Sequence, residues 1–295
     1  MSLARHLPPP LHRLAVQVAY GLANVVRPVD LPTTGAPLHL NACFHTERLD
    51  DDTVFQTLQR WCREFRAITG VRPWLCVMTP EGPVGGRLTA NGFSPDRYGE
   101  RVQALAEVGE IGYHGHYHGP DGQPLAGGRF DLALAGEQID RELAWLQALG
   151  FTPRIYTGGW WVLTPELLQK LAAAGIRLDC STRGSQGGTF GDRYPDPLPA
   201  FGRRFQLVPP IVEVGSLPYF SMPWSRYQRL LCRWLPACGQ RSCWAVLPAH
   251  DYALVGMPPD DLRVVRALTD LAIVRWMDAE EAIGTPFTQP LPPLP

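Results

Sequence analysis

Charge is scarce and balanced in this chain. Charged residues make up 19% of its 295 residues, and the formal net charge is -1. No long basic run is present, so nothing in the charge pattern asks for nucleic acid as a partner. The N-terminal apolar stretch, Leu11 to Val26, is too short to span a bilayer and is interrupted by Gln17 and Asn24. No Gly-x-Gly-x-x-Gly follows the first expected strand, so a dinucleotide-binding fold lacks its signature. No Gly-x-Ser-x-Gly elbow is present, which disfavours a serine nucleophile. There is no internal repeat. Cys238 and Cys243 could form a small disulfide or half a zinc site, but no second close Cys/His pair lies beside them to complete the latter.

Hydrophobic residues are plentiful at 45%, with 10% aromatic residues and nine Trp. The chain is globular and long enough to bury a large core. The seven cysteines are an odd number, and most lie in apolar stretches such as Ala42-Cys43-Phe44 and Leu75-Cys76-Val77. Buried free thiols fit that pattern, and with them a reducing, cytoplasmic compartment. Residues Leu11, Leu14, Ala15, Val18, Leu22 and Val25 follow helical spacing. They predict an amphipathic helix packed on the domain or lying on a membrane surface. A signal peptide or anchor is the alternative, which would place the protein in the periplasm or at a membrane.

Beyond a linker to residue 36, strand and helix patterns alternate about seven times. Strands are expected at Leu38 to Phe44, Arg72 to Met78, Val108 to Gly112, Pro153 to Thr157, Ile176 to Ser181, Phe205 to Val214 and Cys243 to Ala249. Helices are expected from Asp52 to about Thr69, Leu132 to Leu149, Thr164 to Gly175, Trp224 to Leu235 and Pro259 to Met277. Thr79 to Gly99, rich in Gly and Pro, reads as a loop. Such alternation argues for an α/β fold of parallel strands, open or closed into a barrel. The division is an N-terminal helix and linker over 1–36, one barrel domain over 37–284 and a Pro-rich tail over 285–295.

Three of the eight histidines fall within five residues of EIGYHGHYHGP, at His114, His116 and His118. On a helical or similarly tight turn, His114 and His118 would share a face while His116 pointed elsewhere. Two converging neutral imidazoles suit a divalent cation such as zinc. A polar loop that happens to carry histidines is the plain alternative. In an α/β barrel, functional residues gather at the C-terminal strand ends. His45 and Glu47 follow the first strand, His114 and His118 a middle one, and His250 the last.

These stretches resemble the polysaccharide deacetylases, the NodB-homology or carbohydrate esterase family 4 proteins. EIGYHGHYHGP resembles their His-x-x-x-His metal motif, and YTGGWWVLTPELLQKLAAAGIRLDCS (Tyr156 to Ser181) their Gly-Gly-Trp region. VLPAHDY resembles their final Leu-x-x-His motif. The resemblance covers residues 38 to 280, and among relatives it is nearest to the WbmS-like branch linked to O-antigen clusters. It implies an irregular (β/α) barrel of about seven strands and a divalent metal, usually zinc. It also implies removal of an N-acyl group, typically acetyl, from a sugar or sugar conjugate. Carried over by position, Glu47, His114 and His118 hold the metal and His250 is the acid for the leaving amine. The family's Asp base is replaced by His45, and its Arg by Tyr156, with Arg154 two residues earlier. Loss of both partners suggests a coupled exchange in which a neutral imidazole serves as base. It is equally what a decayed, sugar-binding relative would show, and a non-sugar amide substrate is a third option. Trp160 and Trp161 are candidate sugar walls; adjacent strand residues face opposite ways, so at most one serves. Asp50, Asp51 and Asp52 precede a helix and read as its cap. Asp179 and Arg183 stand at another strand end, as candidates for orienting a histidine or gripping substrate.

Overall fold

The computed structural model describes residues 37–181, 204–206, 208–216, 242–256 and 262–286. The helices expected at Leu11 to Val26 and Trp224 to Leu235, Cys232, Cys238, Arg183 and the tail beyond 286 lie outside the described residues. Strand β1 (Leu38–Thr46) leads to helix α1 (Asp52–Thr69), β2 (Trp74–Val77), α2 (Pro83–Ala90), α3 (Pro95–Ala106) and β3 (Glu110–Gly115). Then come α4 (Leu132–Ala148), β4 (Ile155–Gly158), α5 (Pro165–Ala173), β5 (Leu178–Asp179), β6 (Arg204–Phe205) and β7 (Val212–Val214). The chain continues through β8 (Cys243–His250), α6 (Arg263–Thr269), β9 (Val274–Trp276) and α7 (Ala279–Gly284).

Seven of these strands are parallel, in the order β7-β5-β4-β3-β2-β1-β8. A parallel bridge from Ser216, just past β7, to Val246 in β8 brings the two ends together. The result is the nearly closed α/β barrel expected from the alternation. β6 adds antiparallel to β7, and β9 extends the β1 edge below β2.

Period-two alternation splits each strand between two cores. Leu38, Leu40, Ala42 and Phe44 of β1 face the helices, where they meet Leu58, Trp61 and Phe65 of α1. Cys43 faces the interior with Trp74, Cys76, Ile155, Leu178, Cys180, Val212, Trp244 and Val246. This interior is filled by side chains and serves as the floor of whatever sits at its C-terminal mouth. Cys43, Cys62, Cys76 and Cys180 are free and buried, as their apolar settings predict. Cys243, for which the sequence leaves a disulfide open, is disulfide-bonded.

Three segments differ from the sequence reading. Thr79 to Gly99 is not one loop, because α2 and the start of α3 lie within it. Both helices open with proline in the first turn. Gly85 resembles a loop residue in sequence, but a Cβ there would meet the Pro80 carbonyl oxygen at 2.1 Å. It is a close-packing glycine inside a helix. Phe205 to Val214 is two short antiparallel strands, separated by a turn at the cis Pro209–Pro210 bond. Pro259 to Met277 is not a single helix: α6 ends at Thr269, and the β-branched Val274 begins β9. Among the described residues no helix is long and apolar enough to cross a membrane.

Candidate metal centre

The C-terminal ends of β1, β3 and β8 deliver His45, His114 and His250 to the same barrel mouth. The rings of His45 and His114 lie 4.6 Å apart, and those of His45 and His250 5.0 Å apart. Glu47 follows β1 and reaches into their midst. Its Oε1 lies 3.4 Å from His114 Nε2, 3.4 Å from His116 Nε2 and 3.5 Å from His250 Nε2. The two imidazole nitrogens of His114 and His116 are 3.0 Å apart. Glu47, His114 and His116 form the one three-residue cluster among the described residues whose ligand atoms could share a metal ion.

His116, rather than His118, therefore stands beside Glu47 and His114. The expected turn is absent: past the end of β3 the chain pairs antiparallel with Pro124 at His118, so residues two apart share a face. His118 lies one step further along, its Nδ1 3.3 Å from the His116 carbonyl oxygen and its ring 5.0 Å from that of Trp160. Gly159 makes room for His116, since a Cβ there would stand 2.3 Å from the imidazole.

Hydrogen bonds fix how the rings are turned. His114 Nδ1 lies 2.9 Å from the carbonyl oxygen of Thr157 and 2.8 Å from its hydroxyl. Thr157 thus holds the far edge of the ring, and Nε2 is turned towards Glu47. Burial works to raise the Glu47 pKa, yet hydrogen bonds from His114 and His116 hold its carboxyl well below the usual carboxylate range. Burial pushes His116 down to about 4. It also lowers His45, helped by the neighbouring His114 and His250, and lowers His250 against the pull of Glu47. Near neutral pH the site thus holds an ionised Glu47 beside neutral His45, His116 and His250.

Asp251 supports this arrangement and was missed in the sequence, although it directly follows His250. It is fully buried and accepts from three backbone N–H groups: Glu47 at 3.0 Å, Arg48 at 2.7 Å and Tyr252 at 2.8 Å. It ties the turn carrying Glu47 to the end of β8. Burial pushes its carboxyl up to about 7 against those bonds.

Trp160 stands at the mouth, 39% exposed, its ring edge-on to His116 at 4.3 Å. Its φ of 49° is the only positive value among the described non-glycine residues, a conformation that costs about 1–2 kcal/mol. Tyr252, 43% exposed, stacks on His250 at 4.9 Å. The Trp161 side chain lies outside what the structure describes. Tyr156 does not reach the site: it is fully buried on the helix side of β4, with its hydroxyl 3.0 Å from that of Tyr117. Arg154 precedes β4 at the opposite end of the barrel, where it pairs with Glu280 at 2.7 Å and Glu110 at 3.7 Å. Neither can take the place of the family's Arg, because strand alternation sends one outward and strand direction puts the other below the floor. Asp51 caps α1 through the Thr53 and Val54 amides, whereas Asp50 and Asp52 pair with Arg87, Arg97 and Arg101. Asp179 is buried on β5 and bonds to Ser181, away from the histidines.

No family model matches the chain, and no curated protein matches it. Among solved structures it is similar to a Mycobacterium smegmatis protein described as a polysaccharide deacetylase. The two share 16% identity over 91% of this chain and 99% of that one, with a TM-score of 0.55. It is also similar to a 4-alpha-glucanotransferase of Thermococcus litoralis, at 15% identity and a TM-score of 0.54. That match covers 86% of this chain and spans only 41% of the transferase. The likeness is one of fold: this chain shares with both proteins the irregular (β/α) barrel that the sequence motifs imply. Two chemistries go with one barrel in these two proteins, so the side chains at the mouth must choose between them.

Proposed function

We propose that this protein is a metal-dependent hydrolase that removes an N-acyl group from a sugar. One observation carries the reading. Glu47 Oε1 lies 3.4 Å from both His114 Nε2 and His116 Nε2, with Thr157 holding the far edge of the His114 ring. Ligands about 2.1 Å from a tetrahedral zinc are themselves about 3.4 Å apart, so the donor set fits the ion. Glu47, His114 and His116 would hold it. A divalent cation there supplies Lewis acidity towards an amide carbonyl and a water of lowered pKa.

The remaining residues handle protons and position. His45, neutral and deep in the mouth, is the group placed to accept a proton from water. His250 is more exposed, and Glu47 offsets part of the lowering that burial imposes on its pKa, so it is better suited to return a proton to the departing amine. The amide C–N bond breaks, water supplies hydroxyl to the acyl carbon, and the amine leaves with the proton. Trp160 and Tyr252 present aromatic faces on either side for the apolar faces of sugar rings.

Elemental analysis of purified protein tests the metal. Near-stoichiometric divalent metal is expected, lost in His114→Ala/His116→Ala and kept in His118→Ala. No metal after reconstitution at neutral pH overturns the reading. Acetate release from N-acetylated sugars then tests turnover, and His45→Ala should abolish it while keeping the metal. A carbohydrate-binding protein without turnover is the second reading. It is favoured by the depressed basicity of His45.

A further inference from the structure

β3 ends at Gly115, and the backbone between His116 and His118 leaves the sheet. One edge of it pairs with the chain that follows, Leu125 N–H donating to the Tyr117 carbonyl at 2.8 Å beside the antiparallel His118–Pro124 bridge. The His116 carbonyl and the His118 N–H lie on the other edge, and buried backbone groups must find partners. Gln138, buried on α4, supplies them. Its Nε2 donates to the His116 carbonyl at 2.7 Å, and its Oε1 accepts from the His118 N–H at 3.1 Å. One side-chain amide thus offers the donor and acceptor that a neighbouring strand would.

The amide must face the right way round, because a flipped one would set NH₂ against N–H. Glu142, one helical turn later, fixes the orientation by accepting from the same Nε2 at 2.5 Å. Glu142 is itself buried, and a Cβ on Gly82 would stand 2.2 Å from its Oε1. Backbone therefore packs directly on the carboxyl and leaves it little freedom.

Held extended, the segment puts residues 114 and 116 on one face. A tighter turn would bring His118 round instead. We propose that Gln138, oriented by Glu142, is a positioning residue that keeps the His116–His118 backbone extended and so selects His116 as the partner of Glu47 and His114. The consequence for metal rests on the function proposed above; the geometric role does not.

The test compares full-length wild type, Gln138→Leu and Leu143→Ala, the last a buried apolar residue of the same helix. The first readout needs no metal. The ring-proton NMR shifts of His116 report its place against Trp160, whose ring lies 4.3 Å away. The second is zinc affinity, by competition with a chromophoric chelator. Gln138→Leu should move the His116 signals and weaken zinc binding about 10- to 100-fold, the usual loss when a ligand's supporting partner is removed. Leu143→Ala should lower the melting temperature and change neither readout. Unmoved His116 signals in Gln138→Leu, or equal movement in Leu143→Ala, overturn the clamp. Moved signals in a protein whose wild type binds no zinc leave the clamp standing and overturn the metal reading instead.

Discussion

The two segments that meet at the site are held in opposite ways. The Glu47 turn hangs from a carboxylate, Asp251, through the backbone N–H groups of Glu47 and Arg48. The His116 segment hangs from an amide, Gln138, backed by Glu142. Both carboxyls are buried, and burial raises both, Asp251 to about 7 and Glu142 to about 8. The difference lies in what they serve. The turn after β1 offers only donors, so an acceptor with two oxygens suits it. The segment after β3 offers one of each, and only an amide answers both.

Removing each support should expose that asymmetry. Asp251→Ala leaves three buried N–H groups without an acceptor and should cost about 3 kcal/mol or more. Chemical denaturation measures that loss, and zinc affinity should fall with it as Glu47 loosens. Retained stability would show that the Glu47 turn holds itself.

Glu142→Gln should act through pH instead. The ordinary glutamate pKa is 4.5, and the folded value is about 8. Between those pH values the folded form keeps a proton that the unfolded chain has lost, so folding takes one up. Stability from this group is then full below about 4.5 and falls as pH rises towards 8, by up to about 1.4 kcal/mol per pH unit. Denaturation midpoints from pH 5 to 8 should show a shallower decline in Glu142→Gln than in wild type. Asp251 declines in the same sense, over the window from 3.8 to about 7. An unchanged slope in Glu142→Gln would mean that its carboxyl is ionised in the fold.

Gly159→Ala sharpens the contrast on the His116 side alone. The new methyl would press on the imidazole, so zinc affinity should drop about tenfold or more while stability shifts by only about 1 kcal/mol. Trp160→Gly should have the smallest effect on folding, within about 1 kcal/mol of wild type, because relief of the positive φ offsets lost packing. Its loss should appear as weaker binding of sugars by calorimetry. Unchanged sugar binding would remove Trp160 from the proposed cleft.

The barrel was legible because burial on both sides writes itself into sequence: β1 reads LHLNACFHT, apolar on the helix side and Cys or His inside. Glu47, His45, His114 and His250 were legible for a related reason, since parallel strands deliver their C-terminal ends to one rim. Which of His116 and His118 joins them was not. Spacing of two or four selects a face only once the backbone conformation is known, and that was set by Gln138, some twenty residues away. Tyr156 and Arg154 were out of reach for the same reason. Their positions match a motif, but strand phase and direction turn them away from the mouth.

The sequence by itself determined the alternation of strands and helices, the parallel barrel and the rim on which the histidines collect, because these follow from local periodicity and chain order. Tertiary structure alone decided which imidazoles face Glu47 and what holds each segment in place. Those outcomes depend on single hydrogen bonds between residues distant in the chain, made or lost by a few tenths of an ångström.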